Sequence, residues 1–162
     1  MIRAETSQVD ELAPEPAFQA LSTNPSSALV DVRTSAEWAN SGLADLSALD
    51  LPVWPIEWVR FPDMAPNPSF LEELWDHAGG TLPERLFFIC RSGQRSMAAA
   101  RLVAHQGQAL KQPVHCTNVA EGYDGMHHPG FAQDQPSGWK ARGLPWQQYQ
   151  EHDTNEGAPG AR

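Results

Sequence analysis

The sequence predicts an α/β domain built on a mostly parallel sheet. Apolar runs rich in β-branched or aromatic residues occur at residues 28–32, 86–90 and 114–119, and each has the length of a strand. The second run is apolar throughout, which is typical of a strand covered on both faces. Segments with helical patterns separate the runs. Strands that alternate with helices favour a parallel sheet.

The first half of the chain contains short elements. Residues 1–12 are polar and acidic, and we predict a flexible arm there. Pro14 and Pro16 open a short helix, because proline is tolerated in the first turn. A second short helix is predicted over residues 36–40. Residues 43–66 have no clear pattern.

The second half has the stronger helical signals. Phe70, Leu74 and Trp75 fall on one face of a helix that Asn67-Pro68 is predicted to start. An alanine-rich helix is predicted from Ser96 to Gln106. Residues 126–138 are predicted to be a long loop, and residues 150–162 a disordered tail, which leaves one domain over residues 13–149.

Charge and hydropathy exclude two classes of partner. The chain has 20 acidic and 11 basic residues, so its net charge of -9 disfavours nucleic acid and anionic membrane surfaces. It contains no run of about 18 apolar residues and begins without a signal-peptide pattern. We therefore expect a cytoplasmic protein, and we also predict a monomer. Its two cysteines, Cys90 and Cys116, would stay reduced there.

Chemistry is concentrated in the segment Cys90-Arg91-Ser92-Gly93-Gln94-Arg95-Ser96, between the apolar strand and the alanine-rich helix. Sites in open α/β sheets form beyond the carboxyl ends of the strands. Gly93 permits a turn whose N–H groups converge on an anion, and a helix start adds further unpaired amides. Cysteine thiols in such surroundings ionise readily and act as nucleophiles. Cys90 is the candidate nucleophile, at the floor of this cradle.

The other residues with reactive side chains have simpler interpretations. A lone cysteine at the end of an apolar strand is most often an inert core residue, but the arginines and glycine after Cys90 reverse that expectation. Cys116 is either a resolving thiol or a core residue, and its apolar neighbours favour the core. The six histidines lack the spacing of a zinc site, so we predict neither a metal nor a cofactor.

The segment 90–96 resembles the active-site signature of rhodanese-like sulfurtransferases. Three further segments are similar to that family. They are Leu29–Arg33 with Glu37-Trp38, Asn118-Val119 with Glu121-Gly122-Tyr123, and Gly138–Ala141 with Gly143–Pro145. The resemblance covers roughly residues 14–147. This chain lacks the histidine that the family usually has after the first helix and has Gly42-Leu43 at that place.

The resemblance implies a single rhodanese domain with a five-stranded, mainly parallel sheet flanked by helices on both faces. It implies a thiosulfate sulfurtransferase-like enzyme that moves a sulfane sulfur to cyanide, a thiol or a protein acceptor through a persulfide on Cys90. The backbone of residues 91–96 would cradle the anion, Arg95 would steer an anionic donor, and Arg91 would stand beside the pocket mouth. Asp31 and Arg33 would brace the loop, and Gly122 would serve packing.

Two alternative functions remain open from the sequence. Cysteine-dependent phosphatases place an arginine six residues after the cysteine, whereas here that position is Ser96 and Arg95 comes one residue earlier. The shorter ring favours sulfur over phosphate. A non-enzymatic sensing or interaction module is the other alternative, although such modules often lack the cysteine. The loop with His127 and His128 is interpreted as a solvated insertion rather than a wall of the site.

Overall fold

Five parallel strands form the central sheet of this computed structural model, which describes residues 8–125 and 136–150. In spatial order they are β1 (Asp10–Leu12), β8 (His115–Val119), β7 (Arg85–Ile89), β2 (Ser27–Asp31) and β4 (Val53–Pro55). Each neighbouring pair is parallel. The predicted α/β class and parallel sheet are confirmed, and the three strands predicted from apolar runs lie within one residue of their expected bounds.

Helices cover both faces of the sheet, because successive side chains of each strand point to opposite sides. On one face, Val30 and Phe88 pack against α3 (Phe70–His77) and α4 (Gln94–Ala109). On the other face, Leu29 and Phe87 pack against α1 (Pro14–Leu21) and the buried Trp139. Cys90 belongs to the first face. The architecture is the one that the rhodanese resemblance implies.

Smaller elements complete the described chain. They are α2 (Ser35–Ser41), a 3₁₀ turn at Ser47–Leu49, the antiparallel pair β3 (Leu43–Ala44) with β9 (Trp146–Gln147), and the hairpin β5 (Val59–Arg60) with β6 (Ala65–Pro66). The hairpin lies in the stretch without a clear sequence pattern. No helix among the described residues is long and apolar enough to cross a membrane.

The amino-terminal segment differs from the predicted arm. Asp10–Leu12 pairs in register with Thr117–Val119 and forms an edge strand of the sheet, so the ordered domain includes residues assigned to a flexible arm over 1–12. Three residues are too few to produce a recognisable alternation of apolar and polar side chains. Residues 1–7, most of the predicted loop over 126–138 and all but the first residue of the predicted tail lie outside the described residues.

Two helices begin at other residues than predicted. α4 starts at Gln94, directly after Gly93, so part of the reactive loop is already helical. It also continues through Gly107, where a Cβ atom would lie 2.8 Å from the carbonyl oxygen of Gln112. α3 starts at Phe70 rather than at Asn67-Pro68. The Asn67 side chain accepts from the Ser69 N–H and also binds the Glu57 carbonyl and Arg60 of the adjacent hairpin.

Candidate active site

The carboxyl ends of the parallel strands bring the predicted site residues to one edge of the sheet. Cys90 follows β7, Arg33 follows β2, and the turn at residues 121–124 follows β8. This turn lies against the loop: the N–H of Tyr123 donates to the Cys90 carbonyl at 2.7 Å. Gly122, with φ +65°, permits the contact, because a Cβ atom there would lie 2.5 Å from that carbonyl oxygen. The packing role implied for Gly122 fits this geometry.

Cys90 lies at the bottom of the loop with hydrogen-bond donors around its sulfur. Its Sγ accepts from the N–H of Gly93 at 3.1 Å and from the N–H of Ser96 at 3.3 Å. The Ser96 Oγ is 3.2 Å away. Gly93, at φ +113°, is the residue that caps α4 and turns these amides inward. Cys90 is 1% exposed, so the residue is almost completely covered by the protein. Arg91 and Gln94, at the outer edge of the loop, are exposed.

Arg95 makes a contact that the sequence analysis did not foresee. Its guanidinium binds both carboxylate oxygens of Glu37 on α2, each at 2.9 Å. Burial alone would raise the pKa of Glu37, but the hydrogen bonds from Arg95 and the Thr34 N–H lower it to about 2. The pair is therefore ionised at neutral pH. Arg95 thus ties the loop to α2, in place of the free anion-steering group that was expected.

Asp31 and Arg33 form a buried ion pair beneath this edge, and the side chains of both are 0% exposed. Arg33 Nη2 lies 2.7 Å from Asp31 Oδ2, and the indole N–H of Trp38 donates to Asp31 Oδ1 at 3.1 Å. The Arg33 guanidinium also lies 4.0 Å from the ring centroid of Tyr123. Because Tyr123 binds the loop through its backbone, the pair reaches the loop indirectly, through that residue.

Asn118 and Glu11 are site residues to which the sequence analysis gave no role. Ser96 Oγ lies 2.5 Å from Asn118 Oδ1. The amide nitrogen of Asn118 donates to the Gly93 carbonyl at 3.1 Å and to Glu11 Oε2 at 2.9 Å. Asn118 was noticed only as part of a segment similar to the rhodanese family. Glu11 lies in the predicted arm, where no sequence pattern indicated a functional residue.

A polar cavity of about 450 Å³ opens beside the loop. Its lining consists of Glu37, Asn40, Ser41, Arg91 and Asp124. The Arg91 side chain is 64% exposed, and its Nε lies 3.9 Å from Asp124 Oδ2. This loose ion pair leaves the guanidinium able to meet a ligand. Arg91 therefore lines this cavity, and its place beside the mouth of a pocket for the Cys90 sulfur stays a prediction.

Cys116 is a core residue. Leu86 pairs with Cys116 in the sheet register, so Cys90 lies four strand positions further along, roughly 13 Å away. Burial raises the pKa of the Cys116 thiol to about 12. The interpretation as a core residue is confirmed, and a resolving role does not fit this separation. No cluster of three or more metal-ligating side chains occurs within residues 8–125 and 136–150.

Comparisons with known proteins identify relatives. No protein-family model matches the chain. The uncharacterized protein RP600 of Rickettsia prowazekii is 30% identical over 139 residues, which are 86% of this chain and 98% of that protein. The crystal structure of Rv0390 from M. tuberculosis is 37% identical and covers 87% of this chain and 98% of its own, with a TM-score of 0.73. The chain belongs to the family of RP600 and Rv0390.

Other matches add little about chemistry. The uncharacterized protein RC0915 of Rickettsia conorii, 31% identical over the same length, is a further member of the RP600 family. RPA3614 of Rhodopseudomonas palustris, described as a possible tyrosine phosphatase, has 16% identity and a TM-score of 0.46. A similarity this low carries no argument about activity.

Proposed function

We propose that the protein is a sulfurtransferase that carries a sulfane sulfur as a persulfide on Cys90. The observation that carries this proposal is the convergence of the Gly93 and Ser96 N–H groups on Sγ, at 3.1 and 3.3 Å. These donors stand at the start of α4, a helix of 16 residues, whose dipole also favours negative charge. Hydrogen bonds to an anionic sulfur are stronger than those to a neutral one.

The reaction has two balanced steps. The Cys90 thiolate attacks the outer sulfur of thiosulfate, forming an S–S bond to Sγ and releasing sulfite. An acceptor, cyanide or a thiolate, then attacks that transferred sulfur and forms thiocyanate or a persulfide. The bond to Sγ breaks, and its electron pair returns to the Cys90 sulfur. Neither step needs a general base once the thiolate is present.

The position of Arg95 argues against the phosphatase alternative. A phosphatase loop needs a guanidinium free to bind two oxygens of a phosphate group. Arg95 instead donates from both of its terminal nitrogens to the two carboxylate oxygens of Glu37, so those two donors are already occupied. The near-complete burial of Cys90 also favours a small donor such as thiosulfate over a bulkier phosphate ester.

The experiment compares two activities on one preparation of the full chain. We expect thiosulfate-dependent formation of thiocyanate from cyanide, and no turnover of an aryl phosphate above background. Robust phosphate hydrolysis without thiocyanate formation would instead support a phosphatase. Absence of both activities would favour the non-enzymatic module.

Arg91 should assist the anionic donor from the rim. We expect Arg91→Ala to raise the KM for thiosulfate by about three- to tenfold while kcat changes little, because an exposed cation raises the local concentration of an anion without entering the chemistry. The effect should shrink as salt is added. Arg101→Ala, which removes an exposed cation on α4, is the matched control. Equal effects of the two substitutions would refute a role for Arg91.

A further inference from the structure

The hydroxyl of Ser96 lies between two groups and can donate to only one of them. Its oxygen is 3.2 Å from Cys90 Sγ and 2.5 Å from Asn118 Oδ1. A serine hydroxyl has a single proton, and a side-chain carbonyl only accepts. A hydrogen bond from the hydroxyl to Asn118 Oδ1 therefore excludes a hydrogen bond from the same hydroxyl to the sulfur.

The amide of Asn118 cannot reverse its direction without loss. Its nitrogen faces two acceptors, the Gly93 carbonyl at 3.1 Å and the Glu11 carboxylate at 2.9 Å. A flipped amide would place its oxygen against those two oxygens, where it would be repelled, and would give up both bonds that the amide nitrogen donates. Asn118 and Ser96 are both 0% exposed, so water does not relieve the conflict.

We propose that Asn118, held in place by Glu11, is a positioning residue that turns the Ser96 hydroxyl away from Cys90 and so favours the thiol between turnovers. In this arrangement the hydroxyl donates to Asn118, and its lone pairs face the sulfur. It accepts a hydrogen bond from the Cys90 S–H. When the thiol loses its proton, the hydroxyl has to leave Asn118 before it can donate to the thiolate.

This arrangement deepens the proposed function, on which it rests for the importance of Cys90. In a persulfide the negative charge lies on the outer sulfur, and Sγ is neutral and carries no proton. The Ser96 hydroxyl then stays on Asn118 at no loss. The contact therefore disfavours the free thiolate relative to both the thiol and the persulfide, and it limits reaction of the unloaded enzyme with other electrophiles.

Other charged groups near the sulfur are held in pairs that the test variants leave unchanged. Arg95 on α4 is paired with Glu37 on α2, and Asp31 is paired with Arg33 at the end of β2. Around the turn after β8, Arg91 is paired with Asp124, and Glu121 is paired with Arg142. From β1, Glu11 reaches the site through Asn118. Asn118→Ala also removes the bonds to Glu11 and the Gly93 carbonyl, so Glu11→Gln and the double variant with Ser96→Ala are needed to separate those losses from the effect of the hydroxyl.

The test follows alkylation of Cys90 by iodoacetamide as a function of pH, with the modified peptide quantified by mass spectrometry. We expect Asn118→Ala to lower the midpoint of the pH profile by about one unit, which is about tenfold faster alkylation below the midpoint. The substitution frees the hydroxyl to donate to the thiolate. If the substitution only made the Cys90 sulfur more accessible to iodoacetamide, the plateau rate at high pH would change and the midpoint would not. The experiment therefore distinguishes a change in accessibility from a change in the protonation of Cys90.

Ser96→Ala is the second variant and removes the least structure. We expect its midpoint to fall by less than that of Asn118→Ala, because the S–H loses its acceptor and the thiolate gains no donor. The double variant with Asn118→Ala should match Ser96→Ala, because without the hydroxyl Asn118 has no group to turn. A rise of about half a unit or more in Ser96→Ala would mean that Ser96 already donates to the thiolate. That result, or a midpoint in Asn118→Ala that does not fall, would overturn the proposal.

Glu11→Gln controls for charge. Glutamine keeps an oxygen for the Asn118 donor and removes the carboxylate, so we expect the wild-type midpoint. A fall equal to that of Asn118→Ala would assign the effect to the charge of Glu11 and overturn the proposal. Alkylation requires no sulfur transfer. Loss of sulfurtransferase activity with the expected midpoints would therefore reject the proposed function and leave the positioning role standing.

Discussion

Replacing Cys90 by serine should abolish sulfur loading. After incubation with thiosulfate and removal of the excess, we expect the wild-type chain to gain one sulfur atom by intact mass and to lose it to cyanide or a thiol. Cys90→Ser should gain none, and its sulfurtransferase turnover should fall by about a thousandfold or more. A serine hydroxyl stays protonated at neutral pH and forms no persulfide. The cradle alone then has no atom to carry the sulfur.

Cys116→Ala is the matched control for this experiment. Cys116 is buried in the core roughly four strand positions from Cys90, and burial raises its pKa to about 12. Its removal should leave loading at one sulfur atom per chain. If Cys90→Ser still gains a sulfur atom and Cys116→Ala gains none, the sulfur is carried by Cys116, which would contradict the site described above.

Local sequence signals predicted the part of the site that one segment supplies. The run Leu86–Cys90 is apolar enough to specify a buried strand, Gly93 permits the left-handed turn, and the alanine-rich segment specifies a helix. These three features act between close neighbours in the chain. Together they predict Cys90 at the carboxyl edge of the sheet with amides aimed at it, although the bonds from Tyr123 and Asn118 that hold this loop come from distant residues.

Contacts between distant residues could not be predicted in this way. Arg95 and Glu37 are 58 residues apart, and Asn118 and Glu11 are 107 apart. Each of these side chains is compatible with an exposed surface until the sheet order brings β1 beside β8 and α2 beside the loop. A steering arginine was therefore expected where the structure has a bridge to α2, and a loose arm where it has an edge strand.

The position of helix starts depends on similar long-range contacts. Asn67-Pro68 has the local pattern of a helix start, and Asn67 Oδ1 accepts from the Ser69 N–H at 3.0 Å, but the same side chain also binds the carbonyl of Glu57 and the guanidinium of Arg60. Hydrogen bonds to a neighbouring hairpin compete with capping for the same side chain. The helix then begins at Phe70. Local propensity predicted that a helix exists here, and tertiary contacts set its first residue.

Arg33→Met should cost the protein about 3–5 kcal/mol of stability, the largest effect that we expect outside the catalytic cysteine. Asp31 and Arg33 are fully buried, and methionine would leave the Asp31 carboxylate without its cation. The Trp38 N–H bonds only one of its oxygens. The measurement is urea denaturation, with the free energy of unfolding compared at equal slope between variant and wild type.

The double variant Asp31→Asn/Arg33→Met separates loss of charge pairing from loss of packing. Asparagine keeps an oxygen for the Trp38 N–H and carries no charge, so we expect it to recover about 1–3 kcal/mol of the loss. If the double variant is no more stable than Arg33→Met, the loss comes from the missing contacts of Arg33 with Tyr123 and the Gly42 carbonyl rather than from an unpaired carboxylate.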